Sequence, residues 1–301
     1  MEPLHEYLFD MPEQELRDFL PTSITSMMRH PEIDSFYFAE YPFRPEGGVP
    51  HFEQHFPYRR YCLDPDASDP LLERYIESLL QLAWQNNQRP VLQFNRALLR
   101  AGWLANRFNS RTVLLLRRPF DTWKSFVSFE NLYFPTVMSM IVGQNTEDPA
   151  VRSIARRHEV PCYIGERFAE EYEFYRAFAK ARLDHLYPVF YELCMVSNLH
   201  AAKWADVVID MNEVSANPAA RAFTTRELGR IGIDMPLDDC AIPVHAASTP
   251  EEKRWLSLER VSRMALRSEL ASPLGVPVSR VSAVWSGLGR CWRSILDEHS
   301  R

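Results

Sequence analysis

Residues 70–87, PLLERYIESLLQLAWQNN, place apolar side chains at i, i+3, i+4 and i+7, which predicts an amphipathic helix. The helix opens on Asp69-Pro70, an N-cap acceptor followed by a first-turn proline. The apolar run in RPVLQFNR (89–96) predicts a short buried strand, ALLRAGWLANRFN (97–109) a helix, and RTVLLL (111–116) a second strand; another helix begins at Pro119. Helix and strand in alternation imply a parallel sheet with right-handed crossovers. Further on, residues 166–205 read as a long helical tract, DVVIDMNEV (206–214) as a buried strand, and NPAARAFTTRELGRIG (217–232) as a helix closing near a glycine. The last sixty residues are mainly helical in pattern, and residues 40–70 are irregular, aromatic and proline-rich.

In open parallel sheets, ligands bind beyond the carboxyl ends of the strands. Asn95 and Arg96 follow one such strand, and Arg117 and Arg118 follow the next. Pro119 suits the first helical position, and Asp121 complements the helix dipole from the first turn. Ser125 lies four residues beyond Asp121 on the same face, so Arg117 and Ser125 can converge on one anion. A guanidinium fork and a hydroxyl donor suit a phosphate. The same spacing is compatible with arginines paired to carboxylates elsewhere and a serine facing water.

Composition narrows the setting. The 301 residues are 46% hydrophobic and 25% charged, an ordinary globular balance with length enough for a substantial core. A formal net charge of −6 provides no global basic field for nucleic acid or an anionic membrane, so any anion site must be local. The five cysteines are scattered without a CxxC pair, which points away from a zinc cage or disulfide framework and towards a reducing, cytoplasmic setting. No apolar run approaches the roughly 20 residues of a membrane span. The opening MEPLHEYLFD lacks the order of a signal peptide. HFEQH (51–55) spaces His51 and His55 four apart, but in a proline-flanked loop and without the H-E-x-x-H pattern, so no metal is expected. FPYRRYC (56–62) and DSFYFAEYPFRP (34–45) could line an acceptor pocket or be plain surface loops. GLGRCWR (287–293) reads as a helical end rather than a phosphate loop.

The segment RRPFDTWKS (117–125) resembles the R-x-P-x-D-x-x-x-S motif of sulfotransferases that use 3′-phosphoadenosine 5′-phosphosulfate (PAPS). The resemblance implies that Arg117 and Ser125 bind the 3′-phosphate of the donor. Arg118 stands where that family usually has Asp or Asn, a departure expected to alter local ion pairing. RPVLQFNRALLRAGWLANRFNSRTVLLLRRP is similar to the strand–helix–strand that leads into this motif in bacterial and tyrosylprotein sulfotransferases. There Asn-Lys follows the strand, so Arg96 would take the place of the lysine that stabilises charge on the transferring sulfuryl group; a salt-bridged helix-start arginine is the competing reading. DVVIDMNEVSANPAARAF is similar to a further strand and helix of the family, giving Asp210, Asn212 and Glu213 a structural role. The likeness covers roughly residues 1–235.

The family's 5′-phosphosulfate loop, P-[KR]-S-G-T-T, is missing; LPTSITS (20–26) lacks its glycine and follows a helical pattern. MEPLHEYLFDMP resembles the Glu-Pro segment soon after the loop's helix, so the chain is expected either to be truncated at its start or to have lost the cradle. Under this resemblance Glu2 is the general base on the acceptor hydroxyl, with His5 as the runner-up; a frayed, exposed terminus is the alternative.

The resulting expectation is an α/β, three-layer parallel-sheet fold of the P-loop, sulfotransferase-like class, incomplete at its N-terminus. Residues 1–235 would form the α/β domain and 236–301 a helical extension packing on it. The implied reaction is sulfuryl transfer from PAPS to a hydroxyl of a carbohydrate, peptide or small-molecule acceptor, without a metal. A non-catalytic binding module on the same fold is the second reading. A nucleotide-dependent kinase-like protein is the third, disfavoured by the lack of a Walker A motif or acidic magnesium site.

Overall fold

The computed structural model describes residues 2–18, 38–127, 132–238, 240, 242 and 245–270, with side chains in the last helix described only in part. LPTSITS and GLGRCWR lie outside the described residues. The chain divides into two compact units, Met1–Tyr61 with Ala67–Ala97, and Cys62–Asp66 with Leu98–Arg301.

In the first unit a 3-10 turn, Glu6–Leu8, precedes helix α1, described over 13–18. Helix α2 (Pro70–Gln85) begins as its sequence dictates: the Asp69 carboxylate accepts from Leu72 N, and Pro70 occupies the first turn. Leu72, Tyr75, Ile76 and Leu79 form its buried stripe. The chain then enters the left-handed region at Asn87 (φ 53°), a conformation asparagine tolerates and one that stops the helix.

The expected strand at 89–96 requires correction. Residues 90–94 belong to no ladder among the described residues, and Val91 is 81% exposed. An apolar run alone does not make a buried strand; the ladder needs a neighbour.

The second unit contains α3 (Ala101–Phe108), β1 (Val113–Leu116), α4 (Pro119–Val127), α5 (Tyr133–Gln144), α6 (Pro149–Arg157), α7 (Phe168–Arg182), α8 (Leu186–Trp204), β2 (Val207–Asp210), α9 (Met211–Ala216), α10 (Pro218–Arg230) and α11 (Pro250–Leu270). The long helical tract is therefore two helices. A 3-10 turn, Leu183–His185, separates them, and Pro188 sits in the first turn of α8, where its missing N–H costs no bond. Asp148 and Asn217 cap α6 and α10, each ahead of a proline.

The architecture is α/β, with a two-stranded parallel sheet as the only sheet among the described residues; the three-layer sheet expected from the sequence is not shown. Val113 to Leu116 pair in register with Val207 to Asp210. A parallel pair requires a long crossover, supplied here by α4 to α8. Val207 and Ile209 face a core completed by Val214, Leu228 and Leu237. Leu114 and Leu116 are buried on the opposite face, and α8 packs on β1.

Helix α5 is buried along nearly its whole length and packs against α7. At Gly143 an added methyl would collide with the Pro161 carbonyl and the Tyr175 hydroxyl. That hydroxyl donates to Pro161 O (3.1 Å) and accepts from Tyr163 N (3.0 Å). Gly143→Ala is therefore expected to lower the unfolding free energy by about 1–3 kcal/mol in a urea titration, despite the better helix propensity of alanine.

Candidate functional site

Strand β1 ends at Leu116 and delivers Arg117 and Arg118 to the start of α4. The two adjacent arginines have different fates. Arg118 forms a fork onto Asp121, Nε to Oδ2 and a terminal nitrogen to Oδ1, both at 2.7 Å. It also donates to the His245 carbonyl. Asp121 is completely buried and accepts from His245 N (2.8 Å) as well. Asn212, just past the end of β2, accepts from Arg118 N (3.0 Å) and sets its amide 3.5 Å from Asp121. Asp210 caps α9 by accepting from Asn212 N and Glu213 N, the structural role expected of this segment.

Arg117 is half-buried and donates to Ser125 Oγ at 3.0 Å. No carboxylate pairs with it among the described residues, and its Nε is buried without an acceptor there. Burial lowers its pKa; the Asp121 charge opposes this, and Arg118 adds to it. The residue at the strand end and the serine on the second helical turn therefore meet. The remaining N–H groups of Arg117 could be offered to an oxyanion.

The first unit gathers the other candidates. Glu2 is 2% exposed rather than frayed; its carboxylate accepts from Leu4 N (3.0 Å) and from Asn95 N. Burial raises its pKa, with the charge of Arg96 and the two backbone donors pulling the other way. Arg96 pairs with Glu6 at 2.8 Å, which is the salt-bridged reading of this residue, and reaches Leu4 O at 3.5 Å. His5 accepts from Tyr7 N through Nδ1 (3.3 Å), capping the 3-10 turn. Burial outweighs the nearby Glu6 charge and lowers its pKa to about 4. Glu2, His5 and Arg96 thus share one constellation, and Arg117 and Ser125 form another in the second unit.

No group of three His, Cys, Asp or Glu side chains converges as a metal site among the described residues. No described helix is long and apolar enough to cross a membrane. An open pocket of about 460 Å³, lined by Thr146, Arg152, Ala155, Arg156, Glu159 and Val160, shares no residue with either constellation.

Sequence reasoning missed three partners of these residues. Glu6 carries no local signal. His245 contributes only backbone groups. Glu252, which pairs with Lys124 at 2.7 Å, does have a signal: Thr249-x-x-Glu252 is a capping box, with reciprocal bonds of 3.0 and 3.1 Å.

No family model, curated protein or solved structure matches the chain.

Removing the Asp121 carboxylate strands Arg118 beside a buried helix start, so Asp121→Ala is expected to cost about 3 kcal/mol, read by chemical denaturation. The pH dependence has two opposing parts. His5, lowered in the folded state, takes up its proton first when unfolded, so stability falls as pH drops from 6.5 to about 4. Glu2, raised in the folded state, contributes stability that declines as pH rises above 4.5. His5→Asn keeps a cap acceptor but cannot titrate. Between pH 6.5 and 4 its loss of stability should be smaller than that of the wild type by up to about 3 kcal/mol; parallel curves would contradict the assignment.

Proposed function

We propose that this protein binds the phosphate of a nucleotide at Arg117 and Ser125 in the manner of PAPS-dependent sulfotransferases. The observation that carries the reading is the 3.0 Å Arg117–Ser125 contact at a half-buried guanidinium with no carboxylate partner among the described residues. Arg118, the departure from the family pattern, is occupied by Asp121, which leaves Arg117 as the cation for the ligand. On this reading the fold is the three-layer, P-loop-class sheet of that family, and the ligand is the 3′-phosphate of PAPS.

The corresponding reaction is an in-line displacement. An acceptor hydroxyl on a carbohydrate, peptide or small molecule attacks sulfur, a new S–O bond forms, and the S–O bond to the 5′-phosphate breaks. Adenosine 3′,5′-bisphosphate leaves, and the hydroxyl proton passes to a base. Glu2 fits that role better than His5: burial raises its proton affinity, whereas His5 has a lowered pKa and an engaged Nδ1. Arg96 would stabilise developing charge, and positioning with electrostatics would supply most of the rate.

A second reading is a binding module that does no transfer. It is favoured by the occupied state of the same residues: both Glu2 oxygens accept backbone N–H groups, and Arg96 is paired with Glu6.

Calorimetric titration with adenosine 3′,5′-bisphosphate tests the shared core of both readings. Binding is expected in the wild type, absent in Arg117→Ala, about tenfold or more weaker in Ser125→Ala, and not restored by Arg117→Lys, because an ammonium cannot reproduce the planar fork. No heat from the wild type at millimolar ligand would reject both. Release of adenosine 3′,5′-bisphosphate from PAPS in the presence of an acceptor would separate transfer from binding alone.

A further inference from the structure

Helix α4 carries the anion grip on one side and is fastened along its length by a segment more than a hundred residues away in sequence. The fastening has three parts. The backbone of His245 makes bonds in both directions, its N–H to Asp121 and its C=O from Arg118. One turn later, Lys124 pairs with Glu252 at 2.7 Å. On the apolar side, Phe120 and Trp123 meet Trp255 of α11 at centroid distances of 6.5 and 6.2 Å. Trp255 also lies 5.6 Å from Tyr187, whose hydroxyl bonds Glu259, so α11 is fixed to α8 as well.

Lys124 directly precedes Ser125, so the turn that holds the hydroxyl of the grip is the turn held by Glu252. Charge follows the same arrangement. Arg117, Arg118 and Lys124 place three cations within eight residues. Asp121 neutralises one and Glu252 another, leaving the strand-end guanidinium for a ligand. Glu252 is well provided for as an anion: the Lys124 ammonium, opposed by burial and assisted by donors from Thr249 and Ser248, holds its carboxyl down at about 2. The link therefore persists across the physiological range.

We infer that residues 245–249 and helix α11 position the Arg117–Ser125 grip through α4, with Lys124 and Glu252 as the positioning pair, so that docking of α11 and binding of a phosphate-bearing nucleotide stabilise one another. The inference rests on the anion-site reading proposed above. Its physical content is linkage: a ligand that requires an ordered α4 must favour the state in which α11 holds α4 in place, and the effect is reciprocal.

The test uses a charge-conserving double variant, Lys124→Met with Glu252→Gln. Methionine keeps the length of the lysine stem, and glutamine can still serve the capping box of α11, so the helix is retained while the ion pair is lost. Adenosine 3′,5′-bisphosphate is titrated into wild type and variant by calorimetry, and amide hydrogen exchange is followed over 250–262 with and without the nucleotide. The expected result is binding at least threefold weaker in the variant, and slower exchange in α11 of the wild type on saturation, a protection absent from Arg117→Ala. Equal affinities in wild type and variant, or exchange in α11 indifferent to bound nucleotide, would overturn the inference while leaving the grip intact. A wild type that binds no nucleotide would overturn both.

Discussion

The buried carboxylate of Asp121 is the interaction on which the second unit depends. It has no exposure to water and is satisfied by a guanidinium fork and the His245 N–H, with the Asn212 amide at the edge of hydrogen-bond range. Each partner belongs to a different part of the chain: the end of β1, the loop before α11, and the start of α9 after β2. A charge in such a place is tolerable only if it is paired and bonded, and the need to satisfy it draws distant backbone into one arrangement. Whether the pair adds net stability over an apolar replacement is a separate matter from the arrangement it dictates.

The same carboxylate decides what two neighbouring arginines do. Arg118, three residues before Asp121, reaches it across one helical turn. Arg117, at the end of the strand, lies beside this pair and turns to Ser125 instead. Had Arg118 been an acidic or amide residue, the Asp121 pocket would have lacked its guanidinium. Arg118 thus supplies the guanidinium that the buried carboxylate requires, and Arg117 meets the Ser125 hydroxyl.

The parallel pair β1–β2 shows how far the local pattern carries. Leu114, Leu116, Val207 and Ile209 are buried as alternation requires, while Leu115 remains 51% exposed in mid-strand. Strands of parallel sheets are ordinarily covered on both faces. The exposed Leu115, paired along the ladder with Ile209, and the exposed Val91, in a run that joins no ladder among the described residues, mark places where apolar sequence alone did not secure burial.

Local chemistry was legible where it acts within a few residues. Asp69-Pro70 and Asn217-Pro218 start helices because an acceptor and a fixed φ suffice, and VLLL and VVID form strands from their apolar runs. The meeting of Arg117 and Ser125 also followed from spacing, since strand end and second turn leave little choice. Tertiary structure alone decided the rest. That Glu2 is buried and latched to Asn95, that Arg96 belongs to Glu6, and that the His245 backbone closes on the Asp121 carboxylate all depend on contacts spanning some ninety residues or more. The sequence records the identity of each charge; its environment exists only once the chain has closed around it.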